Sequence, residues 1–116
     1  MIPDLAQWDV VLVRIRPADK DPHPAVVISR PDVCRDPRWR RVNVLYGSTR
    51  RPASAATATD VVLNSADGLE GMTLVNCDQI WMVDKNRIES RYGSVSVERR
   101  RALSRTIHRA FALLVA

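Results

Sequence analysis

The most strand-like segment of the chain is residues 23–29, His-Pro-Ala-Val-Val-Ile-Ser, and it constrains the fold more than any other segment. Its two valines and its isoleucine are β-branched, so they are stiff at χ1 and suited to a buried, pleated surface. Pro24 fixes φ and has no N–H to donate, so the pattern predicts that the strand proper begins at Ala25. His23 is then expected at the open end of a sheet.

Five other segments combine β-branched residues with polar–apolar alternation, which indicates further strands. They are residues 7–16, 41–47, 60–64, 72–83 and 87–93. In the first of them Val11, Val13 and Ile15 are expected on one face, because strand side chains alternate between the two faces. Residues 32–41 are polar and basic and predict an exposed excursion, whereas residues 53–59 predict a loop.

A helix is predicted over residues 97–114, with Ser96 as its cap and Glu98 favourably placed in its first turn. Its apolar positions have helical spacing and form a single stripe. They are Leu103, Ile107, Ala110, Phe111 and Leu114. Strands followed by one amphipathic helix predict an α+β fold, in which a curled antiparallel sheet has its apolar side closed by the helix. With 116 residues, the chain is expected to form a single domain, residues 1–116.

The charge balance favours an anionic partner. The chain has 18 Lys and Arg against 13 Asp and Glu, a formal net charge of +5, and only two of the cations are lysines. Arginine presents a planar fork of donors that suits phosphate and also stacks on bases, so the bias favours nucleic acid. A coding bias that places arginine rather than lysine on a solvated surface is the alternative, and composition does not separate the two.

Several classes of protein are not expected. No run of about 18 apolar residues occurs, and the first residues lack the features of a signal peptide, so we expect a cytoplasmic protein without a membrane span. Cys34 and Cys77 are expected to be reduced thiols, because two cysteines without an export signal rarely pair. Neither cysteine has companion ligands at metal-binding spacing, so no metal or cofactor is predicted.

The order of short motifs along the chain resembles the MazF/PemK (Kid) toxins of bacterial toxin–antitoxin systems. The motifs are residues 9–13, Pro17, residues 23–29, Ser48-Thr49, residues 61–63, Gly68-Leu69, residues 75–80, Asp84-Lys85 and Gly93. The resemblance covers nearly the whole chain, and its most specific parts are Pro-Ala-Val-Val-Ile-Ser and Cys-Asp-Gln-Ile. It implies a small SH3-like antiparallel β-barrel with a C-terminal helix. It also implies a homodimer that cuts single-stranded RNA without metal and is neutralised by an antitoxin. The family's antitoxins thread an acidic segment over the RNA groove, which suits the positive net charge.

The resemblance assigns a catalytic set, His23, Ser48 and Asp78. In the family an arginine usually precedes the proline of the 23–29 strand, and His23 stands at that position here. Ser48 corresponds to the hydroxyl that contacts the scissile phosphate, and Asp78 keeps a family aspartate, but Asn76 replaces a second arginine. The expected RNA contacts are Arg14, Arg16, Lys20, Thr49, Arg50, Arg51, Asn76 and Gln79.

The two replaced arginines leave three functions open. An imidazole can exchange a proton near neutral pH, so His23 can act as acid or base and RNA cleavage can persist. Alternatively, loss of a fixed charge at the phosphate costs about a hundred- to a thousand-fold in rate and leaves a weakened or inactive RNA- or protein-binding module. A gyrase-directed toxin of the related CcdB type ranks last, because residues 114–116 lack an aromatic tip. Independently of the resemblance, His23 reads as an ordinary turn histidine and Asp78 as a turn cap.

Overall fold

In the computed structural model, which describes residues 4–115, the chain forms six strands, two α-helices and three single-turn 3-10 helices. The strands are β1 (Asp9–Val13), β2 (His23–Val27), β3 (Arg41–Ser48), β4 (Asp60–Leu63), β5 (Thr73–Asp84) and β6 (Ile88–Ser94). The α-helices are α1 (Pro31–Arg35) and α2 (Val97–Phe111). The 3-10 turns are Ala53–Ala55, Ser65–Asp67 and Lys85–Arg87. The predicted strands are therefore all present.

The six strands form one antiparallel sheet in the order β4-β5-β3-β2-β1-β6, and this sheet curls until its two edges approach each other. The contact is made by Gly68, just after β4, and Gly93 in β6. A Cβ on Gly68 would lie 2.8 Å from the Tyr92 carbonyl oxygen and 2.9 Å from the Gly93 Cα, so only glycine fits. Gly68 also has φ 88°, which glycine adopts without strain. The predicted α+β fold, a small curled antiparallel sheet with a C-terminal helix, is confirmed.

Apolar side chains fill both faces of the sheet, because successive residues of each strand point to opposite sides. One layer contains Val11, Val13 and Ile15, as the sequence predicted, and it continues through β2 and β3. The other layer lies under α2, whose Leu103 is fully buried among residues of β1 to β5. The helix therefore closes one apolar face of the sheet.

The prediction that the second strand begins at Ala25 is wrong. The strand begins at His23, because Pro24 pairs with Leu12 of β1 and His23 pairs with Val13. The ladder between β2 and β3 ends at the pair Ala25–Tyr46. Pro24 thus lies at the end of that ladder, where a residue without an N–H donor is tolerated.

The predicted excursion over residues 32–41 is mostly exposed, as expected, but the segment also includes α1 and buries Cys34, which the sequence did not indicate. Pro31 stands in the first turn of the helix, where its missing N–H has no intrahelical partner to lose. Lys85 holds this segment in place through its side chain. Its side chain is buried, and its Nζ donates to the carbonyl oxygens of Val33 at 2.7 Å and Asp36 at 3.1 Å.

Helix α2 ends at Phe111, three residues before the predicted end. Ala112 has φ 42° and its N–H donates to the His108 carbonyl at 2.9 Å, which terminates the helix. The predicted apolar stripe extends beyond the part of the sheet that α2 covers. Phe111 is 42% exposed and Leu114 is 95% exposed. None of the helices described between residues 4 and 115 has the length and apolar character needed to cross a membrane.

The start of α2 is fastened by a carboxylate rather than by its own cap. Ser96 occupies the cap position as predicted, but its hydroxyl makes no capping bond. The Ser96 N–H instead donates to Oδ1 of the fully buried Asp67 at 2.9 Å. The other oxygen of this carboxylate, Oδ2, accepts the Asn64 N–H at 3.0 Å. The Arg99 Nε lies 3.5 Å from the same carboxylate. Asp67 therefore joins the β4–β5 turn to the helix.

Cys34 and Cys77 are both free thiols, and both are buried. Burial raises the pKa of the Cys34 thiol, and burial together with the nearby carboxylates of Asp60 and Asp78 raises the pKa of Cys77 to about 12. The neutral thiol is therefore the stable form of each near pH 7, and Cys77 packs as a small apolar residue in the layer under α2.

Candidate active site

The first two predicted catalytic residues lie at one end of the sheet on neighbouring strands. His23 is the first residue of β2 and Ser48 is the last residue of β3. The β2–β3 register pairs Ala25 with Tyr46, and continuing it by two residues sets His23 opposite Ser48. Directly opposed residues of an antiparallel pair share a face, with Cβ atoms about 4.5–5.5 Å apart. Both side chains are partly exposed there.

Tyr46 contacts His23 diagonally across the two strands. Its hydroxyl lies 3.3 Å from the His23 Nδ1, and the two ring centroids are 5.1 Å apart with an interplanar angle of 52°. The hydroxyl can donate to Nδ1 in the tautomer that carries its proton on Nε2. In that arrangement Nε2 is the nitrogen that points away from the contact with Tyr46. Sequence reasoning did not find this pair, because strand register is not visible in the sequence.

Gly47 brings β2 and β3 unusually close beside these residues. A Cβ at this position would lie 2.8 Å from the Pro24 carbonyl oxygen and 2.8 Å from the Cγ2 of Thr73. Glycine is therefore required at position 47, which lies between Tyr46 and Ser48 on β3 and beside Pro24 on β2. Sequence reasoning placed Gly47 only at the end of a strand and missed this role.

Asp78 lies in a bulge of β5 that faces the same end of β3. The β3–β5 register pairs Leu45 with Ile80 and then Gly47 with Val75, so residues 76–79 of β5 stand opposite Tyr46. Asn76 holds the bulge with its Oδ1, which accepts the Asp78 N–H at 3.0 Å. The Asp78 side chain is exposed. No hydrogen bond joins it to His23 or Ser48 within residues 4–115.

Seven of the eight residues predicted to contact RNA fall into two groups, and the eighth, Asn76, holds the β5 bulge. The members of the first group are exposed, and they are Lys20, Thr49, Arg50 and Gln79. In the part of the chain that the structure describes, neither Lys20 nor Arg50 has a carboxylate partner. The other three predicted arginines are bound to carboxylates. Arg14 contacts Glu89 at 3.1 Å, Arg16 contacts Asp19 at 3.8 Å, and Arg51 contacts Asp60 at 2.8 Å.

The Arg51–Asp60 pair fixes the segment after β3. Arg51 donates to Asp60 and also to the Ala55 carbonyl oxygen, both at 2.8 Å. Burial opposes ionisation of Asp60, but hydrogen bonds from Arg51 and Thr57 outweigh it, so the pKa of Asp60 is lowered. This geometry assigns Arg51 a structural contact that the sequence did not reveal.

The family follows from the sequence profile described as "PemK-like, MazF-like toxin of type II toxin-antitoxin system", which matches residues 6–111. The chain belongs to this family. No curated protein matches the MazF-like chain in sequence.

Solved structures with the same fold support this assignment. The Mycobacterium tuberculosis toxin MazF-mt6 has a TM-score of 0.74 at 20% identity, covering 92% of this chain and 99% of that chain. An endoribonuclease in complex with its cognate antitoxin, from a mycobacterial species, has a TM-score of 0.75 at 17% identity, covering 99% and 100%. MazE–MazF of Deinococcus radiodurans has a TM-score of 0.73 at 14% identity, covering 96% and 99%. At these identities the likeness shows the MazF fold.

An apolar groove lies beside the bulge of this MazF-like toxin. It has a volume of about 520 Å³ and runs between β5 and the end of α2. Its walls include Ile80, which is 41% exposed, Phe111, and Leu113, which is 86% exposed. Met82, two residues along β5 from Ile80, is 61% exposed. This is the surface that the end of the apolar stripe leaves uncovered.

The groups at the candidate site suit proton transfer and contact with an anion. The His23 imidazole and the Ser48 hydroxyl come from the end of the sheet that also carries Thr49 and Arg50, and the exposed Asp78 carboxylate comes from the β5 bulge opposite Tyr46. Among residues 4–115, no three His, Cys, Asp or Glu side chains form a group able to hold a metal ion.

Proposed function

We propose that this MazF-like toxin is an endoribonuclease that cleaves single-stranded RNA without a metal ion, and that His23 is central to its chemistry. The observation that carries the proposal is the position of His23. Its imidazole stands at the open end of β2, hydrogen-bonded to Tyr46 of β3, and Ser48 ends β3 two residues further along. An imidazole held by one nitrogen keeps the other free for proton transfer.

The proposed reaction is an attack within the RNA strand. A base removes the proton of a 2′-OH, the 2′-oxygen bonds to the adjacent phosphorus, and the bond from phosphorus to the 5′-oxygen breaks. An acid then protonates the departing 5′-oxygen, which leaves a 2′,3′-cyclic phosphate and a 5′-hydroxyl end. His23 and Asp78 share the two proton transfers, and the Ser48 hydroxyl donates to a non-bridging phosphoryl oxygen as negative charge develops there.

The test is cleavage of mixed-sequence RNA by the purified chain in EDTA. His23→Ala is expected to lower the rate by about a hundred- to ten-thousand-fold, the usual contribution of a general acid or base. Asp78→Asn and Ser48→Ala are measured in the same way, and the products are analysed for a 2′,3′-cyclic phosphate end. A strand with deoxyribose at the scissile position should remain intact, because it has no 2′-OH.

The matched control is His108→Ala. His108 is the other histidine of the chain, and it lies exposed on α2 with its Nδ1 2.7 Å from the Ser104 carbonyl oxygen. Because His108 also lines the apolar groove between β5 and α2, sedimentation equilibrium checks that His108→Ala keeps the oligomeric state of the parent, and cleavage should then be unchanged. Cleavage that survives both His23→Ala and Asp78→Asn at full rate would show that these residues are not the catalytic groups.

One observation favours the alternative function, a binding module with little or no catalytic activity. Three of the predicted RNA-contacting arginines are bound to carboxylates of the chain itself, and Asn76 supplies no positive charge. RNA that binds to the chain but stays intact, with no effect of His23→Ala, would establish this alternative.

The family and the exposed surfaces support two proposals about partners. We propose that a cognate antitoxin with an acidic segment neutralises the toxin in the cytoplasm, since the chain carries a net charge of +5. We also propose that a second copy covers the apolar groove between β5 and α2. Phe111→Glu should then convert a dimer into a monomer in sedimentation equilibrium, and a monomer before substitution would refute the dimer.

A further inference from the structure

A second concave surface lies at the opposite end of β2 and β3 from the candidate active site. It is a cleft of about 660 Å³. Its lining residues are Ser29, Arg30, Val33, Arg38, Trp39, Arg40, Arg41, Asn43 and Met82. Ser29 follows His23 by six residues of largely extended chain, and at about 3.3 Å per residue the two positions are roughly 20 Å apart. This arginine–tryptophan cleft is therefore separate from the candidate active site.

Arginine dominates the charge of the arginine–tryptophan cleft. Four arginines line it and no Asp or Glu does. Arg30 is paired with Asp32 at 2.9 Å and Arg38 with Asp36 at 2.8 Å. Arg40 and Arg41 have no carboxylate partner in the described part of the chain. Two guanidinium groups are therefore available to an anionic ligand, and arginine suits phosphate oxygens because it offers a planar fork of donors.

An aromatic ring stands among these charges. Trp39 is 51% exposed, and it lies between the arginine–tryptophan cleft and a smaller cleft of about 290 Å³. Met82 adds a second exposed apolar surface on the floor of the larger cleft. An exposed indole beside arginines that lack carboxylate partners matches the way proteins bind single-stranded nucleic acid, with bases stacked on the ring and phosphates on the cations.

The Trp39 segment is held in place by the protein rather than left as a free loop. The Trp39 N–H donates to the Asp36 carbonyl oxygen at 3.0 Å, and the Lys85 N–H donates to the Arg40 carbonyl oxygen at 2.9 Å. The Lys85 side chain fixes the preceding helix through its two carbonyl contacts. The indole is therefore presented in a defined position, which reduces the entropy cost of binding.

We propose that the arginine–tryptophan cleft is a second binding site for single-stranded nucleic acid, with a base stacked on Trp39 and phosphates held by Arg40 and Arg41. The site goes beyond the proposed function, because it requires neither His23 nor cleavage. It would hold a segment of the strand about 20 Å from the candidate active site.

The test measures binding of a fluorescein-labelled, mixed-sequence DNA strand of about 20 nucleotides by fluorescence anisotropy. The protein carries His23→Ala throughout, so that a failure of the nuclease proposal does not affect the measurement. Trp39→Ala should weaken binding about 5- to 100-fold, the usual effect of losing one stacked base. Arg40→Ala with Arg41→Ala should reduce the slope of log affinity against log salt by about 1.4, since each phosphate contact to a single strand contributes roughly 0.7.

The matched control is Arg101→Ala with Arg105→Ala, which removes the same charge from exposed positions on α2. Circular dichroism checks that each variant is folded. An equal loss of affinity in the control pair would refute the proposal, because the effect would then be the net charge of the whole chain. Unchanged binding in Trp39→Ala would refute it as well. The same variants are also tested for binding of an acidic peptide. If they lost affinity for the peptide but not for DNA, this surface would be a protein-docking site and the proposal would be overturned.

Discussion

Replacing Gly47 with alanine tests how closely the candidate site depends on the approach of β2 to β3. The new Cβ would lie 2.8 Å from both the Pro24 carbonyl oxygen and the Thr73 Cγ2, where ordinary contact begins at 3.4 Å. One strand must therefore move by about 0.6 Å, and neither neighbour yields easily, since one is backbone and the other is a buried β-branched side chain. Overpacking of this kind costs about 1–3 kcal/mol.

The same displacement separates His23 from Ser48. A misplacement of 1 Å near a reacting group costs on the order of 100-fold in rate, so Gly47→Ala should lower RNA cleavage about 10- to 100-fold. Urea denaturation followed by circular dichroism gives the free energy of unfolding, and cleavage of the mixed RNA in EDTA gives the rate. Assays at a temperature at which the variant is fully folded separate the loss of activity from the loss of stability.

Gly71→Ala is the matched control for stability. A Cβ at Gly71 meets no atom within 4 Å, and Gly71 is not among the positive-φ residues. Its substitution should be neutral or should stabilise the protein by up to about 1 kcal/mol, because alanine restricts the unfolded chain. If Gly47→Ala proved as stable and as active as Gly71→Ala, the close approach of β2 and β3 would not be what positions the site.

Three further outcomes follow from the buried polar groups. Asp67→Ala should lower the free energy of unfolding by about 2–4 kcal/mol in urea denaturation, because two backbone N–H groups lose their acceptor; a change below 1 kcal/mol would contradict this. Cys77 should react with iodoacetamide at pH 8 on the order of a thousand-fold more slowly in the folded than in the unfolded protein, as followed by mass spectrometry, and equal rates would contradict its burial. Arg51→Met should destabilise the protein at neutral pH. Because the pKa of Asp60 is lowered in the folded protein, the Arg51–Asp60 pair adds its full amount to the free energy of unfolding at pH values above the pKa of an unfolded aspartate, about 3.9. This amount is lost as the pH falls through the pKa of Asp60 in the folded protein. Parent and variant should therefore converge in stability in strong acid, and a difference that persists there would contradict the assignment.

The sequence predicted what depends on local pattern. The alternation of polar and apolar residues in β1 predicted that Val11, Val13 and Ile15 share one face, and the structure confirms it. The prediction is possible because a sheet with a buried face tolerates only one register. The positions of the six strands along the chain followed from runs of β-branched residues and from polar–apolar alternation. The start of α2 at Val97 followed from the change to helical spacing.

The sequence did not predict what depends on pairing between distant segments. The contact between His23 and Tyr46 requires the β2–β3 register, and the role of Gly47 requires the distance between those strands. The end of α2 at Phe111 was missed because the apolar spacing continues past the point where the sheet stops covering it. Helix α1 was missed because five residues carry too little periodicity to signal a helix.

The bulge of β5 separates two ladders that are registered independently. Residues 73–76 are aligned with β4 and residues 74–75 also with the end of β3, whereas residues 80–84 are aligned with the first half of β3. Because the Cys77 N–H donates to the Thr59 carbonyl oxygen at 2.8 Å, a descendant of this chain could gain or lose a residue only between Cys77 and Ile80 while both alignments stayed as they are. Such a change would move Asp78 relative to Tyr46 without disturbing the core, so the reach and selectivity of this side of the cleft can evolve by length as well as by substitution.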